Sequence, residues 1–192
     1  MIVKTSIPRL RIGDVFSVLD LLSVVLQESS NEAARAVAAP LGMERFVGLM
    51  NNKAEAIGMV NSAFVDTSGV LAGDVSTAQD LFMLAKYLYY NRSFVLDMSL
   101  GDEKRAVYGT SAFSGLSNFN SISGVSGMVG GKTGLSSSAG DSMLAVFEVE
   151  FKDGKRPIVI IALGSDDAKK DVKAILNHIR SNYEAEAPSL SI

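Results

Sequence analysis

The stretch from Met143 to Tyr183 restricts the fold more than any other part of the chain. Apolar residues alternate with charged ones toward the end of its first segment. Phe147, Val149 and Phe151 fall on one side, Glu148 and Glu150 on the other, which is the period of a half-buried strand. Lys152-Asp153-Gly154-Lys155 supplies a turn, and Pro157 to Leu163 runs back as a more apolar, more buried strand. Gly164-Ser165-Asp166 then reads as the cap of a helix from Asp167 to Tyr183, with Val172, Ile175, Leu176 and Ile179 on one face. His178 sits beside that face and reads as a surface side chain. The expected unit is an antiparallel hairpin covered by a C-terminal helix.

The first half has the other periodicity. After an irregular lead-in with a turn at Gly13-Asp14, Ser17 caps a helix whose Val18, Leu21, Leu22, Val25 and Leu26 recur at helical spacing. That helix gives out at Gln27-Glu28-Ser29-Ser30-Asn31. A second helix begins at Glu32 and is stopped by Pro40. Met43 to Ile57 forms a third, with Phe46, Leu49, Met50 and Ala54 on one stripe and Gly58 at its end. Asn61 to Asp74 reads as loop. Ser76-Thr77-Ala78-Gln79 is a capping-box pattern that opens a fourth helix, Thr77 to Tyr90, buried through Leu81, Leu84, Ala85 and Leu88. From Asn91 to Gly131 the periodicity fades, and a long connection with one or two short strands is expected. The fold class is therefore α/β in the segregated, α+β sense. One catalytic-type domain spans 1–183, with a helical lobe over about 15–95, a sheet lobe over about 105–183 and a tail at 184–192.

Composition narrows the chemistry. A chain of 192 residues with 47% hydrophobic and 20% charged residues has ample material for a core. A net charge of −3 without a basic cluster argues against nucleic acid as a partner. The chain has no cysteine and so neither disulfides nor thiolate metal sites, and one histidine argues against a histidine zinc site or a Ser-His-Asp triad. Met1 to Ser6 contains no apolar signal-peptide core, and the longest apolar run, Pro157 to Leu163, is too short to span a bilayer.

Two polar groups of residues stand out. Lys132, Thr133 and Gly134 lie within the run Gly130-Gly131-Lys132-Thr133-Gly134-Leu135-Ser136-Ser137-Ser138-Ala139-Gly140. An ammonium, a hydroxyl and uncovered backbone at a strand edge form a receptor for the carboxylate of an extended peptide. The plainer alternative is a loop with a solvated lysine. Ser29-Ser30-Asn31 falls at the break between two helices, where Asn31 also suits the cap of the second. Taken together, the two motifs offer a hydroxyl proton relay, an amide clamp and a cationic anchor on opposing walls of a cleft, an acyl-transfer site without its nucleophile.

These residues carry a resemblance. Gly13-Asp14 to Leu22, Ser29 to Ala34, Phe64-Val65-Asp66-Thr67-Ser68-Gly69, Ser76 to Leu81 and Gly130 to Gly140 are similar, in that order, to segments of the serine-type D-alanyl-D-alanine carboxypeptidases, the low-molecular-mass penicillin-binding proteins. The resemblance implies a penicillin-binding-protein/β-lactamase-like transpeptidase fold and a hydrolase that removes the terminal D-alanine of peptidoglycan stem peptides through an acyl-enzyme. It implies that Ser29 relays a proton to the departing D-alanine and Asn31 holds the substrate amide. Lys132, Thr133 and Gly134 would bind the terminal carboxylate. It further implies β-lactams as ligands, an extracytoplasmic location, and neither cofactor nor metal.

The sequence departs from the family pattern at one point: none of its lysines has a serine three residues earlier, so the Ser-x-x-Lys nucleophile motif is missing. The expectation is a chain that starts after the nucleophile, inactive alone, with apolar surface to be covered by the preceding segment or by self-association. A non-catalytic peptidoglycan-peptide-binding or scaffolding module is the alternative. A P-loop nucleotide-binding protein is a remote one, because Ser126 stands where the motif needs its first glycine and a strand follows where it needs a helix.

Overall fold

The computed structural model describes residues 10–101 and 112–183. The expected tail 184–192, residues 1–9 and part of the long connection lie outside the described residues. A three-stranded antiparallel sheet in the order β1-β2-β3 forms the spine: β1 Met128–Ser136, β2 Gly140–Phe151 and β3 Gly154–Ser165. Helices α1 Val18–Glu28, α2 Asn31–Ala38, α3 Met43–Ala56, α4 Ala78–Asn91 and α5 Ser93–Leu100 precede it, and α6 Ala168–Tyr183 follows.

The alternation in β2 does what its period requires. Met143, Ala145, Phe147 and Val149 are buried against Ala168, Val172 and Leu176 of α6, joined by Ile160 and Ala162 of β3. The opposite face is also covered: Val146 is buried with Ala85 of α4 and Leu96 of α5. The middle of the sheet is thus sealed by helices on both sides, where the sequence suggested one. Tyr89 of α4 donates to the Glu148 carboxylate at 2.8 Å, which keeps the polar face of β2 engaged as well.

Several expectations need correction. The connecting region contains a helix, α5, whose Leu96, Met98 and Ser99 are buried on more than one side. Phe94 of this helix is exposed while Ser99 is buried, so its apolar and polar residues do not sort by face and leave no amphipathic stripe to read. β1 begins at Met128, and Lys132 sits in mid-strand. β3 runs on through Ser165, so the cap of α6 falls to Asp167, whose carboxylate accepts from the Lys170 N–H at 3.0 Å. Pro40 does not end the chain's helical path; it sits in a 3₁₀ turn, Ala39–Leu41, continuous with α2. Ile175 and Leu49 lie exposed, at 43% and 48%, on helices whose expected stripes included them. Of α3, Ala54 alone is fully buried. His178 is exposed, as read.

The helical lobe is held by side-chain-to-backbone bonds. Ser17 caps α1 and Thr77 caps α4, accepting from the Asp20 and Asp80 N–H groups. Asn51 of α3 makes a two-way bond with the Phe64 backbone, at 2.8 and 2.9 Å. Asp66 folds the following loop around itself. Partial burial opposes its charge, but bonds from the N–H groups of Ser68, Leu71 and Gly69 outweigh that and hold its pKa down to about 2.

Candidate active site

Ser29 stands where α1 ends, in the left-handed conformation at φ 54° and ψ 37°. It is the one non-glycine residue with positive φ among the described residues. The next residue, Ser30, returns to extended backbone and caps α2, accepting from the Ala33 N–H at 3.1 Å. The alternative reading of Asn31 as the cap therefore falls away. Asn31 is the first residue of α2, so its half-buried carboxamide is not consumed in starting the helix. The two reversals turn the chain sharply, which puts Ser29 and Asn31 at one corner.

Across from that corner runs β1. Lys132 is paired with Leu144 in the sheet, and its ammonium donates to the Ser29 hydroxyl and, at 2.6 Å, to the Thr133 carbonyl. Residues 103 apart in sequence meet here. Burial strips water from the ammonium and lowers its pKa to about 8. Lys132 is therefore neither solvated nor in a loop.

Why the strand lies so close to the helices is written in its glycines. A Cβ on Gly130 would fall 2.8 Å from the Leu96 Cα, and one on Gly131 2.7 Å from the Leu144 carbonyl oxygen. Only hydrogen at Gly130 lets α5 approach β1 so closely, and only hydrogen at Gly131 leaves room for the β2 backbone beside it. Gly134 differs: a Cβ there would meet nothing within 4 Å. It is exposed, with open space beside the backbone at the lip of the cleft.

The outer edge of β1 is partly occupied. The N–H of Gly131 donates to the buried Ser99 hydroxyl at 3.0 Å, and that of Thr133 to the Asn120 side-chain oxygen at 3.0 Å. The Asn120 amide in turn donates to the carbonyls of Leu26 and Ser99, at 2.7 and 2.9 Å. Asn120 and Ser99 escaped the sequence reading. A single asparagine in a Ser/Gly-rich connection carries no periodic signal, and its Leu26 partner is 94 residues away.

The structure thus brings Ser29, Lys132 and Thr133 into one bonded cluster, with Asn31 at the same helix junction and Gly134 next along the strand. No helix follows Thr133; β1 continues to Ser136 and turns into β2, so a phosphate cradle at a helix N-terminus is ruled out. Among the described residues no group of three or more His, Asp or Glu side chains is placed to hold a metal ion, and no helix is long and apolar enough to cross a membrane. An apolar depression of about 310 Å³ beside α1 and α2, lined by Leu10, Phe16, Val18 and Val37 among others, includes none of these site residues.

A helical lobe facing an antiparallel sheet, with Ser-x-Asn at a helix junction and Lys-Thr-Gly on the edge strand, defines the penicillin-binding-protein fold. Solved structures of that class superpose on the chain. The D-alanyl-D-alanine carboxypeptidase DacD of Francisella tularensis matches with a TM-score of 0.75 at 22% identity, over 97% of this chain and 58% of that one. Penicillin-binding protein D2 of Listeria monocytogenes, solved with cefotaxime bound, matches with a TM-score of 0.65 at 29% identity, over 86% of this chain and 66% of that one. Residues 3–166 match the family model described as D-alanyl-D-alanine carboxypeptidase, and the chain belongs to that peptidase family. A D-alanyl-D-alanine endopeptidase of Pseudomonas aeruginosa is 42% identical over 78 residues, 40% of this chain and 25% of that protein. The carboxypeptidase DacD of Escherichia coli is 29% identical over 94% of this chain and 46% of its own length. The chain spans less than half the length of these curated relatives.

Proposed function

We propose that this chain contributes the carboxylate-binding and leaving-group side of a serine-type D-Ala-D-Ala carboxypeptidase site, acting on peptidoglycan stem peptides outside the cytoplasm. Lys132, with the Thr133 hydroxyl and the open backbone at Gly134, receives the terminal carboxylate. Ser29 passes a proton to the departing D-alanine, Asn31 holds the substrate amide, and β-lactams occupy the same groove. The observation that carries this reading is the bond from the Lys132 ammonium to the Ser29 hydroxyl, which closes the cleft from both walls.

The 192 residues by themselves carry out no carboxypeptidase turnover, because acyl-enzyme chemistry needs an activated nucleophile and the sequence holds no Ser-x-x-Lys. An anchor retained without that nucleophile also supports a second reading, a non-catalytic module that binds or scaffolds peptidoglycan peptides. Two measurements test these readings. Calorimetry with an N-acyl-D-Ala-D-Ala peptide is expected to give binding that Lys132→Ala abolishes; no heat from the unaltered chain would remove both readings. A fluorescent penicillin is expected to leave the chain unlabelled, and stoichiometric covalent labelling would overturn the assignment of inactivity.

A further inference from the structure

Asn120 is 0% exposed and lies in a segment without regular structure. Its carboxamide nonetheless reaches three elements: Leu26 in α1, Ser99 in α5 and Thr133 in β1. A carboxamide has two donor hydrogens and one acceptor oxygen, and here all are used. The Thr133 hydroxyl adds a second contact to the same oxygen at 3.3 Å. No other side chain of this size has that set: aspartate has no donor when ionised, and serine lacks the reach. Leu26 stands three residues before Ser29, and Thr133 directly follows Lys132. One buried amide therefore spans the distance between the two walls.

We propose that Asn120 is a positioning residue of this site, whose three bonds fix the gap between the Ser29 corner and the strand carrying Lys132 and Thr133. It thereby sets the affinity for a ligand carboxylate that it never touches. The assignment deepens the reading of the groove as a carboxylate-peptide site and rests on it for the ligand, not for the geometry. A loosened clasp leaves buried donors and acceptors unpaired, and it admits water to the Lys132 ammonium.

The test uses the full chain with Asn120→Asp, which removes both donors, and Asn120→Ser, which brings no charge and is read alone if the aspartate variant does not fold. Asn51→Ala is the control. It breaks a comparable two-bond link, from α3 to Phe64, without touching the cleft. Three quantities are compared: thermal midpoint, calorimetric affinity for an N-acyl-D-Ala-D-Ala peptide, and the titration of the Lys132 ammonium by NMR of labelled lysine, assigned through Lys132→Arg. Both Asn120 variants are expected to weaken peptide binding about tenfold or more. The uncharged Asn120→Ser should also move the Lys132 midpoint up from about 8 toward the ordinary lysine value; a rise in Asn120→Asp does not count, because its carboxylate raises a nearby ammonium's pKa by itself. Asn51→Ala is expected to lower the thermal midpoint while leaving both site readouts where the unaltered chain has them. Asn120 variants that lose stability but keep the Lys132 midpoint and the affinity would make Asn120 a structural residue only. If the unaltered chain binds no peptide, the carboxylate reading fails alone, and the Lys132 midpoint still decides for or against Asn120.

Discussion

Lys132 is the residue on which burial and charge pull hardest against each other. The ammonium is useful to a carboxylate only while protonated, and its pKa is held down to about 8 by loss of water. Peptide affinity is therefore expected to be level below that pH and to fall about tenfold per pH unit above it, in a calorimetric pH series. Stability moves the other way. Between about 8 and the unfolded value near 10.4 the unfolded chain holds the proton more strongly, so the native state gains stability as pH rises through that window. At this scale the sequence was unevenly legible. Ser29 and Lys132 announced themselves through neighbours of unusual type. Asn31 carried two readings, site residue or cap, because Ser30 and Asn31 are equally good at the capping position and the choice depends on backbone angles. Asn120 gave no signal, since its meaning lies wholly in partners distant along the chain.

Among the elements, β1 and α5 show how far a strand's position depends on what its residues lack. Gly130→Ala would press a methyl group into the Leu96 backbone at 2.8 Å, and overpacking of this kind costs about 1–3 kcal/mol. Denaturant titration is expected to give a lower midpoint with an unchanged slope. Gly134→Ala is the complementary case. With nothing within 4 Å of the added methyl, its stability should stay within about 0.5 kcal/mol, while peptide affinity falls because the methyl fills the lip of the groove. Here the sequence spoke clearly for amphipathic elements and poorly for those whose apolar and polar residues do not sort by face. Thr77 and the spacing around Ala85 disclosed α4, and the alternation in β2 disclosed the hairpin. Ser93–Leu100 stayed hidden because its Phe94 faces out and its Ser99 faces in, against the usual sorting of apolar and polar residues.

Across the whole molecule, packing is uneven. β2 is sealed on both faces, with Phe147, Val146 and Ala145 fully buried, whereas α3 has one buried residue. Amide hydrogen exchange is expected to follow that gradient, with α3 exchanging first and the centre of β2 last; equal protection of the two would contradict it. The segregation of helices and sheet could be anticipated from two periodicities in one chain. The contact between them could not, because it rests on glycines, a serine hydroxyl and one buried amide that carry no pattern. The bonds that Ser99 and Asn120 make to Gly131 and Thr133 have one more effect. A bare strand at a sheet border invites neighbouring molecules to stack onto it and grow into fibrils. With two successive outward amides already engaged, the middle of β1 is closed to such stacking, and only the rim from Gly134 onward stays accessible.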